Sequence, residues 1–213
     1  MAKKKKKKSR IIIILILLII MILFGLLAIK FKPKKEKQPE EPQIEIIDSI
    51  DKFGYELNDN ETKYYNELFD KLKDILKEED YNEEEYATII AQLFLADFYD
   101  LDTKIMKSDI GGTQFVYEPY REDFEKGALT SVYKYVESNV YKDRKQELPI
   151  VKKIERQDIK QDKFKYNDTQ DINAYYLTMN IEYNKDLGYP TKVELVLIHN
   201  NDKLEIAKLE KKA

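Results

Sequence analysis

The feature that most constrains this chain is an uninterrupted apolar run near its start. From Ile11 to Ile29 (IIIILILLIIMILFGLLAI) there are 19 residues without a charged or strongly polar side chain. A helix rises 1.5 Å per residue, so the run would extend about 28 Å, close to the ~30 Å hydrocarbon core of a bilayer. A helix in a soluble core would carry polar side chains every few residues. The run therefore predicts a transmembrane helix over residues 11–29 and a lipid bilayer as the first partner.

Basic residues on both sides of the run set its expected orientation. Residues 1–10 hold seven Lys and Arg and no acid, whereas residues 30–37 hold five Lys and one Glu. The positive-inside rule favours a cytoplasmic head over residues 1–10 and a C-terminal domain outside the cell membrane. The reverse orientation and a cleaved signal peptide stay open as alternatives. A signal peptide would normally have a shorter apolar core, and Leu26 stands where its cleavage site needs a small residue.

Charge and composition exclude several classes of chemistry. Residues 1–40 hold 12 Lys and Arg and two Glu, so a net charge of -3 leaves -13 on the rest of the chain. An acidic body of this kind argues against nucleic-acid binding by charge neutralisation. The chain has no Cys and one His, which excludes disulfides, thiolate metal sites and multi-histidine sites. We therefore expect no metal and no cofactor. The Lys-, Ile-, Asn- and Tyr-rich composition is typical of AT-rich bacterial genomes.

A charged, proline-containing segment follows the apolar run. Residues 30–43 (KFKPKKEKQPEEPQ) combine three prolines with many charges and few apolar residues. Such a composition favours extended backbone, so it predicts a stalk. A short apolar lead-in then ends at Gly54. The predicted organisation is a stalk and lead-in over residues 30–58, and a folded domain over residues 59–213.

Three amphipathic helices are expected in the first part of the folded domain. The first has N-cap candidates in residues 58–60, and its apolar side chains recur every three or four residues, at Tyr65, Leu68, Phe69, Leu72, Ile75 and Leu76. The second begins after Asn82, an N-cap residue followed by three glutamates that suit the helix dipole. The third is expected from about residue 119 to residue 138.

After Pro149 the hydrophobic period changes from 3.6 to 2, which indicates strands. The first candidates are residues 150–159 and 163–166. The strongest pattern covers residues 174–183, where alternate positions place one set of apolar side chains on a single face: Tyr175, Leu177, Met179, Ile181 and Tyr183. Further strands are expected over 192–199 and 203–209. The short connections between them predict an antiparallel meander.

Three helices followed by a curved antiparallel sheet constitute an α+β fold. In this order, and in the aromatic residues of the helix stripes, residues 59–213 resemble the NTF2-like superfamily, a cone in which helices close over a strongly bent sheet. With one membrane span before it, the layout is similar to VirB8/TcpC-type components of conjugation and secretion machines. The resemblance implies an NTF2-like domain outside the membrane, and it carries no functional residues over.

Asp97 is the one charge on the apolar stripe of the second helix. A buried carboxylate must be paired, hydrogen-bonded or protonated. NTF2-like enzymes place Asp, His and Tyr inside the cone, so a pocket stays open as a hypothesis, and the candidate lining residues in this sequence are Asp97, Tyr175, Met179 and His199. The structural alternative is that Asp97 bonds a Tyr hydroxyl or caps a neighbouring element, and that His199 is solvated at the end of its strand. No catalytic residue is assigned.

The sequence leaves three functions open. The first is a membrane-anchored, non-catalytic scaffold or interaction protein of a bacterial cell envelope, with a protein partner or a homo-oligomer, for example in a conjugation- or secretion-type assembly. The 16 tyrosines suit a partly solvated protein interface, because each combines an apolar ring with a polar hydroxyl. The second is a binding module whose cone takes a small ligand or a peptide. The third is a pocket enzyme that uses Asp97 for acid–base chemistry.

Overall fold

The computed structural model describes residues 44–212, and this part of the chain is α+β, as predicted. Three α-helices lie in it, together with a β-hairpin, two 3-10 turns and a curved antiparallel sheet. In chain order the elements are β1 (Ile46–Ile50), β2 (Tyr55–Asn58), α1 (Lys63–Lys77), α2 (Glu83–Tyr99), the 3-10 turns Thr113–Phe115 and Glu118–Tyr120, α3 (Arg121–Thr130), β3 (Val151–Tyr166), β4 (Thr169–Tyr183), β5 (Lys192–Asn200) and β6 (Lys203–Lys211).

The predicted membrane span over residues 11–29 and the stalk over residues 30–43 lie outside the described residues. Within residues 44–212, none of the helices combines the length and the apolar character that crossing a bilayer requires.

The apolar lead-in before α1 is a β-hairpin. Strands β1 and β2 pair antiparallel, and Gly54 occupies their turn with a positive φ of 62° that glycine adopts without strain. Tyr55 and Leu57 of β2, and Phe53 in the turn, are buried in the main core. The folded body therefore includes residues that the sequence analysis assigned to the lead-in.

Side-chain caps fix where α1 and α2 begin. The Oγ1 atom of Thr62 accepts a hydrogen bond from the backbone N–H of Tyr65 at 3.1 Å, so Thr62, and not a residue of the 58–60 segment, caps α1. The Oδ1 atom of Asn82 accepts from the N–H groups of Glu84 and Glu85, which confirms the predicted cap of α2. Both caps satisfy donors that the first helical turn leaves unpaired.

Helix α2 is the centre of the core. Twelve of its 17 residues are buried, because α1 lies against it on one side and β3, β4 and β6 lie against it on the other. The five residues of α2 that are not buried all lie in its first ten positions: Glu83, Glu84, Glu85, Thr88 and Gln92.

Helix α3 ends eight residues earlier than predicted. The hydroxyl of Ser131 donates to the carbonyl of Gly127 at 2.7 Å, and Ser131 leaves the helical conformation. Two residues later, the side chain of Tyr133 is fully buried, and its hydroxyl donates to the carbonyl of Phe98 at 2.8 Å. Tertiary contacts of Tyr133 thus replace the continuation of the helix.

The main sheet has the order β3-β4-β5-β6, and all three pairs are antiparallel, which confirms the meander. The residues predicted as two short strands form the single strand β3, with irregularities in its register with β4 that bend and twist the pair. The predicted alternation in β4 is confirmed, since Tyr175, Leu177, Met179 and Ile181 are all buried.

Candidate functional site

Asp97 lies near the end of α2 with only 9% of its surface exposed. Its Oδ1 atom forms an ion pair with the ammonium group of Lys104, and its Oδ2 atom accepts a hydrogen bond from the backbone N–H of Gly112 at 2.6 Å. Lys104 is buried as well, with 3% of its surface exposed. The carboxylate therefore ties the chain that follows α2 back onto the helix.

Two consecutive glycines allow this close approach. A Cβ atom on Gly111 would overlap the backbone and the carboxylate of Asp97, and one on Gly112 would lie 2.7 Å from the ring of Phe94. Gly112 also has a positive φ of 76°, which a side chain disfavours. The Gly-Gly pair serves packing against α2, and no phosphate-binding frame surrounds it.

A polar recess of about 280 Å³ opens beside this ion pair, and its lining includes Glu56, Glu61, Asp97, Lys104 and Asp109. Burial, together with the negative charges of Asp97, Asp100 and Asp109, raises the pKa of Glu61 to about 8. Burial alone would lower the pKa of Lys104, but the Asp97 carboxylate holds it above its usual value. Glu61 is therefore largely protonated at neutral pH, while Lys104 stays charged.

His199 lies between two carboxylates. Its Nδ1 atom is 2.8 Å from Oδ2 of Asp171 on β4, and its Nε2 atom is 3.2 Å from Oε1 of Glu83 in the first turn of α2. The hydroxyl of Tyr175 donates to the other oxygen of Glu83 at 2.9 Å. The imidazole is half-buried, with 32% of its side chain exposed, so it is not the freely solvated strand-end group considered from the sequence.

The Asp171 carboxylate is held in its ionised form. Burial alone would raise its pKa, but hydrogen bonds from the backbone N–H groups of His199 and Asn173, and from the His199 ring, lower the pKa overall. Because Asp171 and Glu83 approach opposite nitrogens of one ring, a single metal ion could not be bound by the imidazole and by both carboxylates. Among residues 44–212, no group of three or more metal-ligating side chains is arranged around a common point.

The structure brings together two of the four candidate lining residues. The rings of Tyr175 and His199 have centroids 5.8 Å apart. Met179 is fully buried in the main core. Asp97 is 14 residues along α2 from Glu83, roughly 20 Å at the helical rise. Asp97 and His199 therefore have separate sets of partners.

A larger groove lies where α1, α2 and β3 meet. It has a volume of about 740 Å³ and an apolar floor, in which Tyr64 and Ile75 are partly exposed. Leu68, Ile89 and Ile154 lie beneath them with less than 5% of their surface exposed. Charges of both signs surround this floor, at Lys71, Asp74, Glu85, Lys153, Glu155 and Arg156. An apolar centre with a polar rim is the usual anatomy of a protein-binding surface. We call this feature the α1–α2–β3 groove.

Two side chains hold the β3 wall of the groove in place. The hydroxyl of Tyr64 accepts a hydrogen bond from the backbone N–H of Ile154 at 2.9 Å, and the side-chain amide of Gln92 donates to the carbonyl of Ile154 at 2.9 Å. These contacts satisfy the outer backbone groups of β3 at this point. The wall is therefore pre-formed, which lowers the entropy that a bound segment must lose on association.

The chain was compared with protein-family models, curated proteins and solved structures. None of them matches it.

Sequence reasoning missed the groove because its lining comes from the edges of three elements. Ile75 and Ile89 belong to the predicted apolar stripes of two different helices, Tyr64 lies beside the first stripe, and Ile154 lies in a strand that was only weakly indicated. Lys104 was also missed, because its partner Asp97 lies seven residues earlier in the chain, on the other side of the end of α2. The charged rim residues of α1 and α2 follow helical spacing, which would have been the available signal.

Proposed function

We propose that this chain is a membrane-tethered, non-catalytic interaction protein of a bacterial cell envelope, with an NTF2-like body outside the membrane. The groove between α1, α2 and β3 is the observation that carries the proposal, because its apolar floor and mixed-charge rim suit an amphipathic protein segment.

The tether is supported by the apolar run from Ile11 to Ile29 and by the excess of basic residues before it. The NTF2-like body is supported by three helices and a curved antiparallel sheet of which α2 covers one face. A subunit of a conjugation- or secretion-type assembly is one role that this layout suits.

The non-catalytic role is supported by the positions of the two groups best suited to acid–base chemistry. Asp97 is engaged by Lys104 and Gly112, and His199 is engaged by Asp171 and Glu83. Each side chain already joins separate parts of the fold, which gives it a structural purpose.

Site-specific photocrosslinking in cells tests the proposal. A benzophenone side chain is placed at Lys71 or Glu85, which line the groove, or at Lys126, an exposed position on α3 that serves as the control. We expect a discrete adduct with a second envelope protein from the two groove positions and none from Lys126. The adduct should disappear when Ile75→Asp places a charge in the groove. Absence of an adduct from the groove, or an equal adduct from Lys126, would contradict the proposal.

A further inference from the structure

The outer edge of β3 is the longest uncovered strand edge in the described part of the chain. β3 is the first strand of the sheet, so only one of its sides is paired, with β4. Tyr64 and Gln92 cover the outer backbone groups of Ile154, and Arg156 donates to the hydroxyl of Thr88 at 2.8 Å. No such cover is present along residues 157–162, where every side chain except that of Ile159 is exposed.

The order of charges along this edge is self-complementary in one antiparallel register. If two copies pair so that Ile159 faces Ile159 of the second copy, Asp158 faces Lys160 of the second copy, and Lys160 faces Asp158. The two-fold axis makes the contact between Asp158 and Lys160 occur twice, as an isologous interface requires.

The neighbouring registers are disfavoured by charge. If one strand slides by a single residue, its side chains change to the other face of the sheet. The nearest alternative registers therefore slide it by two residues, which moves the two-fold axis to residue 158 or to residue 160. Centring on 158 places Asp158 against Asp158. Centring on 160 places Lys160 against Lys160 and Asp158 against Asp162. Like charges directly opposite each other destabilise strand pairing, so only the register centred on Ile159 avoids them near the axis.

Charged residues, lysines in particular, also occur on edge strands as protection against pairing. Charges that serve only to prevent pairing would oppose like charges in every register. Here the charges of two copies repel in the registers centred on 158 and 160 and attract in the register centred on 159. The register with β4 shifts between Arg156 and Asp158, so regular alternation along the edge begins only at Asp158. The selective contacts are therefore the two that Asp158 and Lys160 make across the axis.

We infer that two copies of this chain associate through the outer edges of their β3 strands, antiparallel and centred on Ile159, to form one sheet across a two-fold axis. The inference goes beyond the proposed function and does not depend on a second protein. It can be tested on the purified full-length chain in detergent, so its failure is distinguishable from failure of the groove proposal.

Charge exchange is the first test, read by light scattering or sedimentation of the full-length protein. Asp158→Lys and Lys160→Asp should each weaken dimerisation by about tenfold or more, because each places like charges opposite each other twice. The double variant D158K/K160D restores unlike charges and should restore the dimer. Lys165→Asp, on the same strand outside the central contacts, is the control and should not weaken it. Circular dichroism checks that all four variants are folded.

A single introduced cysteine is the second test, since the natural chain has none. Opposed residues of paired antiparallel strands have Cα atoms about 4.5–5.5 Å apart, which suits a disulfide. Ile159→Cys should therefore give a covalent dimer on mild oxidation, and Ile172→Cys, exposed on β4, should not. A monomeric wild-type protein, a folded double variant that stays monomeric, or equal cross-linking by both cysteines would overturn the inference.

Discussion

At the scale of single residues, the buried pair of Asp97 and Lys104 is the most consequential contact. Taking two charges out of water is costly, and their attraction offsets that cost only while both are present. Removal of one partner leaves an uncompensated charge in the core. The carboxylate also holds Gly112, so its loss affects the chain that follows α2 as well.

We expect Asp97→Asn to lower the free energy of unfolding by about 3–5 kcal/mol, because Lys104 then remains buried without its partner. Chemical denaturation of the variant and the wild type measures this. The double variant D97N/K104M should recover a large part of the loss, since it removes both charges. Asp102→Asn, an exposed acid 3.7 Å from Arg144, is the control and should cost less than about 1 kcal/mol. Equal losses for Asp97→Asn and Asp102→Asn would refute the role of the pair.

Glu61 makes the free energy of unfolding of the folded domain depend on pH. Its pKa of about 8 in the folded state lies above its ordinary value of 4.5, so the folded state binds the extra proton between these values. The free energy of unfolding therefore falls as the pH rises from about 4.5 to about 8. We expect Glu61→Gln, which stays neutral, to reduce this slope and to raise stability above pH 8 by about 1 kcal/mol or more.

Denaturation curves collected across this pH range test the Glu61 prediction. Glu67→Gln is the matched control, because Glu67 is an exposed acid on α1 whose pair with Lys63 is at the surface. It should leave the slope unchanged. A slope that survives in Glu61→Gln would show that another group is responsible.

At the scale of elements, local signals were predictable and distant contacts were not. The N-cap at Asn82 and the alternation of apolar residues in β4 depend only on neighbouring residues in the chain, and both were predicted from the sequence. The end of α3 depends on Tyr133, whose hydroxyl bonds to Phe98 from a distant element. The contacts of His199 depend on the β4–β5 register and on the position of α2, neither of which its own neighbours specify.

The cap of α1 provides a test at this scale. Thr62→Ala should lower the free energy of unfolding by about 1 kcal/mol, because the N–H of Tyr65 loses its acceptor. Asn58→Ala, in the segment that the sequence favoured for the cap, should cost clearly less. Thermal or chemical unfolding measures both. A larger loss for Asn58→Ala would show that the helix begins under the control of the earlier segment.

At the scale of the whole molecule, the proposed function requires a membrane tether on an acidic body that carries a groove and an open strand edge. Both surfaces include β3, whose residues Ile154–Arg156 line the groove and whose following residues form the uncovered edge. A body that is held near a membrane meets other copies and envelope partners at raised effective concentration, so modest contacts suffice for association. Association of this kind requires that the folded domain lies outside the cell membrane and stays attached to it.

Cysteine labelling of intact cells tests this location most directly, because an introduced cysteine is the only thiol in the chain. A membrane-impermeant maleimide is applied to cells that produce the full-length protein with Lys145→Cys in the body, or with Ala2→Cys in the head. The account predicts that both proteins are recovered with the membrane, that Lys145→Cys is labelled in intact cells, and that Ala2→Cys is labelled only after lysis. Recovery of the intact chain in the soluble extract, or labelling of Lys145→Cys only after lysis, would contradict it.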